Sequence, residues 1–195
     1  MTRSWITIVS GWPRSGTSMM MQMLAAGGIE PYTDGARVAD EDNPRGYFEH
    51  EQATLLHKDR DWLPRARGKA VKIVAQLLPH LPPGEEYRVV FVHRNLDEVV
   101  ASQSAMLARL GRAGGNIDSR RLARVYSAQL VRVEQWLRRA QRVKVLPVNY
   151  EQALSEPSAV AARLSAFVGE PFNPGLAAAA VQPSLRRQTA AASKT

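Results

Sequence analysis

The run Trp5-Ile-Thr-Ile-Val-Ser-Gly-Trp-Pro-Arg-Ser-Gly-Thr-Ser-Met-Met-Met-Gln-Met-Leu24 decides the fold. A β-rich apolar stretch from Trp5 to Val9 enters a loop holding Gly11, Pro13 and Gly16, which opens directly into an apolar helix from Thr17 to about Ala26. Strand, glycine turn and helix N-terminus together form a phosphate cradle, because unpaired backbone N–H groups and the positive helix end converge on one spot. The spacing Gly11-x-x-x-x-Gly16 is that of a nucleotide-binding loop, yet Thr17 follows where the triphosphate version carries lysine. The cation sits inside the loop instead, at Arg14.

Working outward, the later strand Arg88-Val-Val-Phe-Val-His93 ends in His93-Arg94 rather than in an aspartate that could hold magnesium. A donor with a 5′-phosphate and no triphosphate therefore fits better than Mg-ATP. Further strands are expected at Ala70 to Val74 and Val143 to Val148. Helices are expected at Glu49 to Lys58, Leu96 to Leu110, Ser119 to Ala140 and Pro157 to Val168. Alternation of strands and helices predicts an α/β, three-layer P-loop fold, with a central parallel sheet of about four to five strands and helices on both faces. The glycine loop, Arg94 and Tyr150 each follow a strand, so they should share the rim where such folds bind ligands. The polar stretch 30–48 reads as a long loop leaving the phosphate site.

With 195 residues the chain is long enough for one well-buried domain, expected over 1–195 with a core at 1–175 and a tail at 176–195. A net charge of +8 suits an anionic ligand. The basic stretches carry neither a recognition motif nor interleaved aromatics, so no nucleic-acid partner is expected. No stretch has the length of a membrane span, and the first strand follows the N-terminus too closely for a signal peptide; a cytoplasmic location is the expectation. Zero cysteines and four scattered histidines point to no metal site.

Pro13-Arg14-Ser15-Gly16-Thr17-Ser18 resembles the 5′-phosphosulfate loop of the sulfotransferases that use 3′-phosphoadenosine 5′-phosphosulfate. Arg94, followed eight residues later by Ser102, is similar to that family's 3′-phosphate motif. Asn149-Tyr150-Glu151 resembles the segment whose tyrosine lies near the adenine, and Asn43-Pro44-Arg45-Gly46-Tyr47-Phe48-Glu49 is similar to a stretch of small bacterial members. The resemblance implies sulfuryl transfer to a hydroxyl or amine of a small-molecule, glycan or peptide acceptor. The donor would be held by Arg14, Ser15, Gly16, Thr17, Ser18, Arg94, Ser102, Tyr150 and Arg186, the N–H groups of Ser15 to Ser18 forming the cradle. Arg186-Arg187 reads equally well as a solvated basic tail. Known cytosolic members carry Lys-x-His before the 3′-phosphate strand; here Lys72-Ile-Val74 keeps the lysine and lacks the histidine. Arg14 and Lys72 would steady the developing charge, and the acceptor's proton would go to Asp34 or Glu49, with His50 a third candidate. Two other classes compete: an ATP-dependent P-loop kinase and a non-catalytic phosphoadenosine-binding protein.

Overall fold

The computed structural model describes residues 3–37, 39–40, 43, 46–109 and 119–182. Four parallel strands form the sheet: β1 (Ile6–Gly11), β2 (Ala70–Val74), β3 (Tyr87–His93) and β4 (Val143–Asn149), in the order β2-β1-β3-β4. Every residue of β1 is buried, Thr7 and Ser10 included, as befits a strand of a parallel sheet covered on both faces. Pleating sends neighbouring side chains to opposite layers. Val9, Val90 and Val92 join the core beneath α1 (Thr17–Ala26), whereas Ile6, Ile8, Val89 and Phe91 meet Trp62, Leu63 and Leu78 on the other side. The expected α/β architecture is the one observed.

Helix α1 buries Met20, Met21, Met23 and Leu24, about 1.5–3 kcal/mol for each side chain. At its end Gly27 admits the Phe172 ring, which a Cβ there would strike at 2.1 Å. The chain then runs along the outer margin of β2, where Pro31 bridges Ala70 and the Tyr32 N–H donates to the Ala70 carbonyl (2.7 Å). Helix α2 spans only Glu51–Thr54 instead of Glu49 to Lys58. The N–H groups of Lys58 and Asp59 both turn back to the Leu55 carbonyl, and the tight turn delivers Trp62 into the core at 0% exposure.

Two short 3₁₀ helices, Leu63–Ala66 and Ala75–His80, flank β2 and were not foreseen. The other helices are α3 (Leu96–Arg109), α4 (Ser119–Arg139), α5 (Tyr150–Ser155), α6 (Pro157–Val168) and α7 (Pro174–Ala179). The expected start of a tail at 176 falls inside α7, whose Ala177 is buried, as is Val181 just beyond it. Strand β4 lies at the opposite margin of the sheet from β2, with Pro147 opposite Phe91. No helix among the described residues is long and apolar enough to cross a membrane.

Candidate active site

At the carboxyl ends of the strands the chain encloses a cleft of about 330 Å³, lined by the glycine loop together with Lys72 and Glu49. Close approach shapes the loop. A Cβ on Gly11 would lie 2.5 Å from Ser15 Oγ and 2.8 Å from the Val92 carbonyl oxygen. Gly16 caps α1 at φ +100°, and a Cβ there would meet the Tyr150 ring at 2.4 Å. The Ser15 N–H donates to the Trp12 carbonyl (3.0 Å), closing a tight turn, so of the four N–H groups expected in the cradle this one is already used. The first helical bond of α1 runs from the Met20 N–H to the Gly16 carbonyl (3.1 Å); the N–H groups ahead of it have no partner inside the helix.

Arg94 follows β3 directly and turns its guanidinium onto this loop. One terminal nitrogen donates to the Arg14 carbonyl (3.0 Å), and Nε donates to Glu98 Oε2 (3.0 Å). Its Cζ lies 4.4 Å from the centre of the Tyr150 ring. Arg94 and Glu98 are almost fully enclosed, at 7% and 5% side-chain exposure, so the ion pair is a buried one. Asn95 fixes the start of α3 by accepting from the Asp97 N–H (2.8 Å). Arg14 Nε donates to the buried Ser102 Oγ (3.1 Å). The structure thus gathers Arg14, Gly16, Arg94, Ser102 and Tyr150 within one neighbourhood.

A second cluster lines the same cleft. Lys72 Nζ donates to Glu49 Oε1 (3.0 Å), the Tyr47 carbonyl (3.0 Å) and Ser18 Oγ (3.3 Å). Burial pulls the Lys72 ammonium below its ordinary pKa, with Glu49 opposing. Burial pushes the Glu49 carboxyl upward, but the Lys72 ammonium and the Arg37 guanidinium together outweigh it and hold it below the ordinary value. Arg37 bonds both carboxylate oxygens (3.2 and 3.0 Å) while its Cζ rests 3.3 Å from the centre of the Tyr47 ring. The Tyr47 hydroxyl donates to Asp40 (2.7 Å), and burial, followed by that bond, raises its pKa.

Asp34 stands apart from the cleft lining. Its oxygens accept from the Ala36 N–H (3.0 Å) and the Glu51 N–H (2.6 Å), and these bonds hold its pKa low. His50 stacks on Tyr32 and accepts from the Gln52 N–H at the start of α2. Arg186, Arg187 and the 111–118 segment lie outside the described residues. Sequence reasoning did not single out Arg37 and Tyr47 as site residues. Their signal was available in part, since Tyr47 lies inside the Asn43-to-Glu49 stretch.

A glycine loop, a strand-end arginine and a buried lysine thus surround one cleft of a parallel sheet in an α/β protein with a P-loop-like fold. The family model described as Sulfotransferase family matches residues 69–174, from β2 to the start of α7. The chain belongs to the sulfotransferase family. Solved structures agree in fold. A sulfotransferase domain from the curacin biosynthetic pathway is similar with a TM-score of 0.58 and 17% identity, over 95% of this chain and 90% of that one. The sulfotransferase domain of the Synechococcus PCC 7002 olefin synthase gives 0.52 and 15%, over 90% and 77%. A sulfotransferase from Alicyclobacillus acidocaldarius gives 0.50 and 20%, over 85% and 81%. No curated protein matches the chain by sequence.

Proposed function

We propose that this sulfotransferase moves a sulfuryl group from 3′-phosphoadenosine 5′-phosphosulfate to a hydroxyl, or an amine, of a small acceptor. The observation that carries the reading is the 3.0 Å bond from Arg94 to the Arg14 carbonyl: cations suited to two separated anionic groups meet at one cleft. The absence of a side chain at Gly11 and Gly16 lets the loop close against Ser15, Val92 and the Tyr150 ring, which supports a cradle of backbone N–H groups for such a donor.

In this reading the N–H groups of Gly16, Thr17 and Ser18, with Arg14, take the 5′ group. Arg94 and Ser102 take the 3′-phosphate, and Tyr150 flanks the adenine. The donor supplies an electrophilic sulfur with a good phosphate leaving group. As the acceptor oxygen bonds to sulfur, the bond from sulfur to the 5′-phosphate oxygen breaks, and the acceptor's proton leaves to a base. Glu49 is that base rather than Asp34, because it lines the cleft beside Lys72 while Asp34 is tied to backbone N–H groups. A carboxylate held below its ordinary pKa stays ionised at neutral pH; it orients the hydroxyl and takes the proton once bonding to sulfur has made that oxygen acidic. Lys72 and Arg14 are preformed donors for the charge that develops on leaving.

Calorimetry tests the donor. Adenosine 3′,5′-bisphosphate should release binding heat without metal, and Arg94→Ala should abolish it. Heat from Mg-ATP alone would end the reading in favour of a kinase. Mass spectrometry of a metabolite extract supplied with donor should then reveal products heavier by one SO₃; binding without any such product would mean a non-catalytic phosphoadenosine binder.

A further inference from the structure

We infer that Arg94 and Ser102 serve both ends of the donor: besides meeting the 3′-phosphate, they hold Arg14 in the posture that receives the 5′ group, with Glu98 positioning Arg94. The inference rests on the function proposed above and extends it. Arg14 adopts φ +69°, a left-handed conformation that costs a non-glycine residue about 1–2 kcal/mol. Such a conformation persists only where its surroundings over-determine it. Here two bonds bear on Arg14 from residues eighty and more positions away. Arg94 holds its carbonyl (3.0 Å), and Ser102 accepts from its Nε (3.1 Å).

Those two holds share one support. Glu98 and Ser102 are four residues apart in α3, hence on one face of the helix. Glu98 fixes Arg94 through the buried 3.0 Å ion pair, so a single rigid helix reaches the carbonyl of Arg14 through Arg94 and its side chain through Ser102. The Ser102 hydroxyl can accept from Arg14 and still donate its own proton to a phosphate. Filling the 3′ site therefore need not release Arg14. The two ends of the donor are not independent subsites; the 3′ machinery is also a brace for the 5′ loop.

The test uses adenosine 5′-phosphosulfate, which lacks the 3′-phosphate, beside adenosine 3′,5′-bisphosphate, each titrated calorimetrically into wild type, Glu98→Gln and Ser102→Ala. Glu98→Gln removes a negative charge near the site, so the electrostatic field alone would tighten an anion. A positioning role has the opposite sign: affinity for the 5′-phosphosulfate should fall about tenfold in Glu98→Gln, the scale of one lost charge-assisted bond. Ser102→Ala, which is charge-neutral, should weaken the same ligand several-fold. Thermal unfolding confirms that each variant is folded. Should Glu98→Gln fail to fold, Ser102→Ala decides alone. Unchanged or tighter binding of the 5′-phosphosulfate in the folded variants, or no binding of it to wild type beside normal binding of the bisphosphate, would overturn the inference. Failure of wild type to bind the bisphosphate would instead strike the donor assignment itself.

Discussion

Replacing Lys72 by methionine separates catalysis from folding at one nitrogen atom. The Lys72 side chain is only 11% exposed, and among the described residues its ammonium donates to the Tyr47 carbonyl at 3.0 Å, Glu49 at 3.0 Å and Ser18 at 3.3 Å. Hydrogen bonds from a charged donor contribute about 1.5–3 kcal/mol each. Against them stands an effective desolvation penalty of several kcal/mol for a buried ion, which a thioether of similar shape escapes. The two nearly cancel, and Glu49 keeps Arg37 as a partner; stability should change by no more than about 1–2 kcal/mol. Activity has no such offset. Losing one preformed donor at a developing charge costs about 10²–10³-fold in turnover.

Lys72→Met also carries a signature in pH. The Lys72 ammonium is the strongest of the cationic influences that hold the Glu49 carboxyl down against burial. Without it the acid limb of the pH–rate profile should move to higher pH. Urea unfolding at neutral pH, with transfer of labelled sulfate to an extract-derived acceptor measured across pH, reads both quantities. A variant that loses about 3–5 kcal/mol of stability, as when a buried pair is broken, yet turns over normally in its folded fraction would refute the reasoning and make Lys72 a structural residue.

Glu49→Gln should keep bisphosphate binding while turnover falls about 10²–10⁴-fold and the acid limb disappears, as a pH–rate profile would show. Because the folded Glu49 titrates below its ordinary value of 4.5, its stabilising contribution is complete above that value. It is lost as pH falls through the folded pKa, and the Gln variant should show a flatter stability curve in that acid window. Gly16→Ala should lower bisphosphate affinity at least about tenfold, since its Cβ would strike the Tyr150 ring as well as bear the left-handed cost. Gly28→Ala is the control: it has the same φ of +100° and open space around it, so calorimetry should find binding intact. Asp34→Ala should lower stability by about 1 kcal/mol, through loss of the bonds its carboxylate accepts from the Ala36 and Glu51 N–H groups, and leave turnover unchanged; unfolding curves beside rates would check this.

Most of the architecture was legible because it is written locally. The apolar run from Trp5 and the glycines after it dictate strand, turn and helix without help from distant residues, and the periodicities of α3 and α4 mark their helices to within a residue or two. What escaped depends on packing. Helix α2 is cut short because Trp62 must reach the core, and α7 forms in an alanine-rich stretch that is helical by virtue of burial against α1 and α6. The same holds in the site. Arg14, Arg94, Ser102, Lys72 and Glu49 were visible as residue types at telling positions. The bond of Arg94 to the Arg14 carbonyl, and the stacking of Arg37 on Tyr47, join residues that only the folded chain makes neighbours.

The prolines at the two margins of the sheet bear on how this chain behaves in a crowded solution. A strand with a bare outer rim invites another polypeptide to lengthen the ladder, and such recruitment is how soluble sheets begin to aggregate. Pro147 leaves β4 without an N–H at its centre, and Pro31 brings its own segment against the opening residue of β2. An incoming strand thus meets, on either flank, a site that cannot answer with a full set of bonds. Among the described residues the sheet stops at four strands, with a proline at each margin.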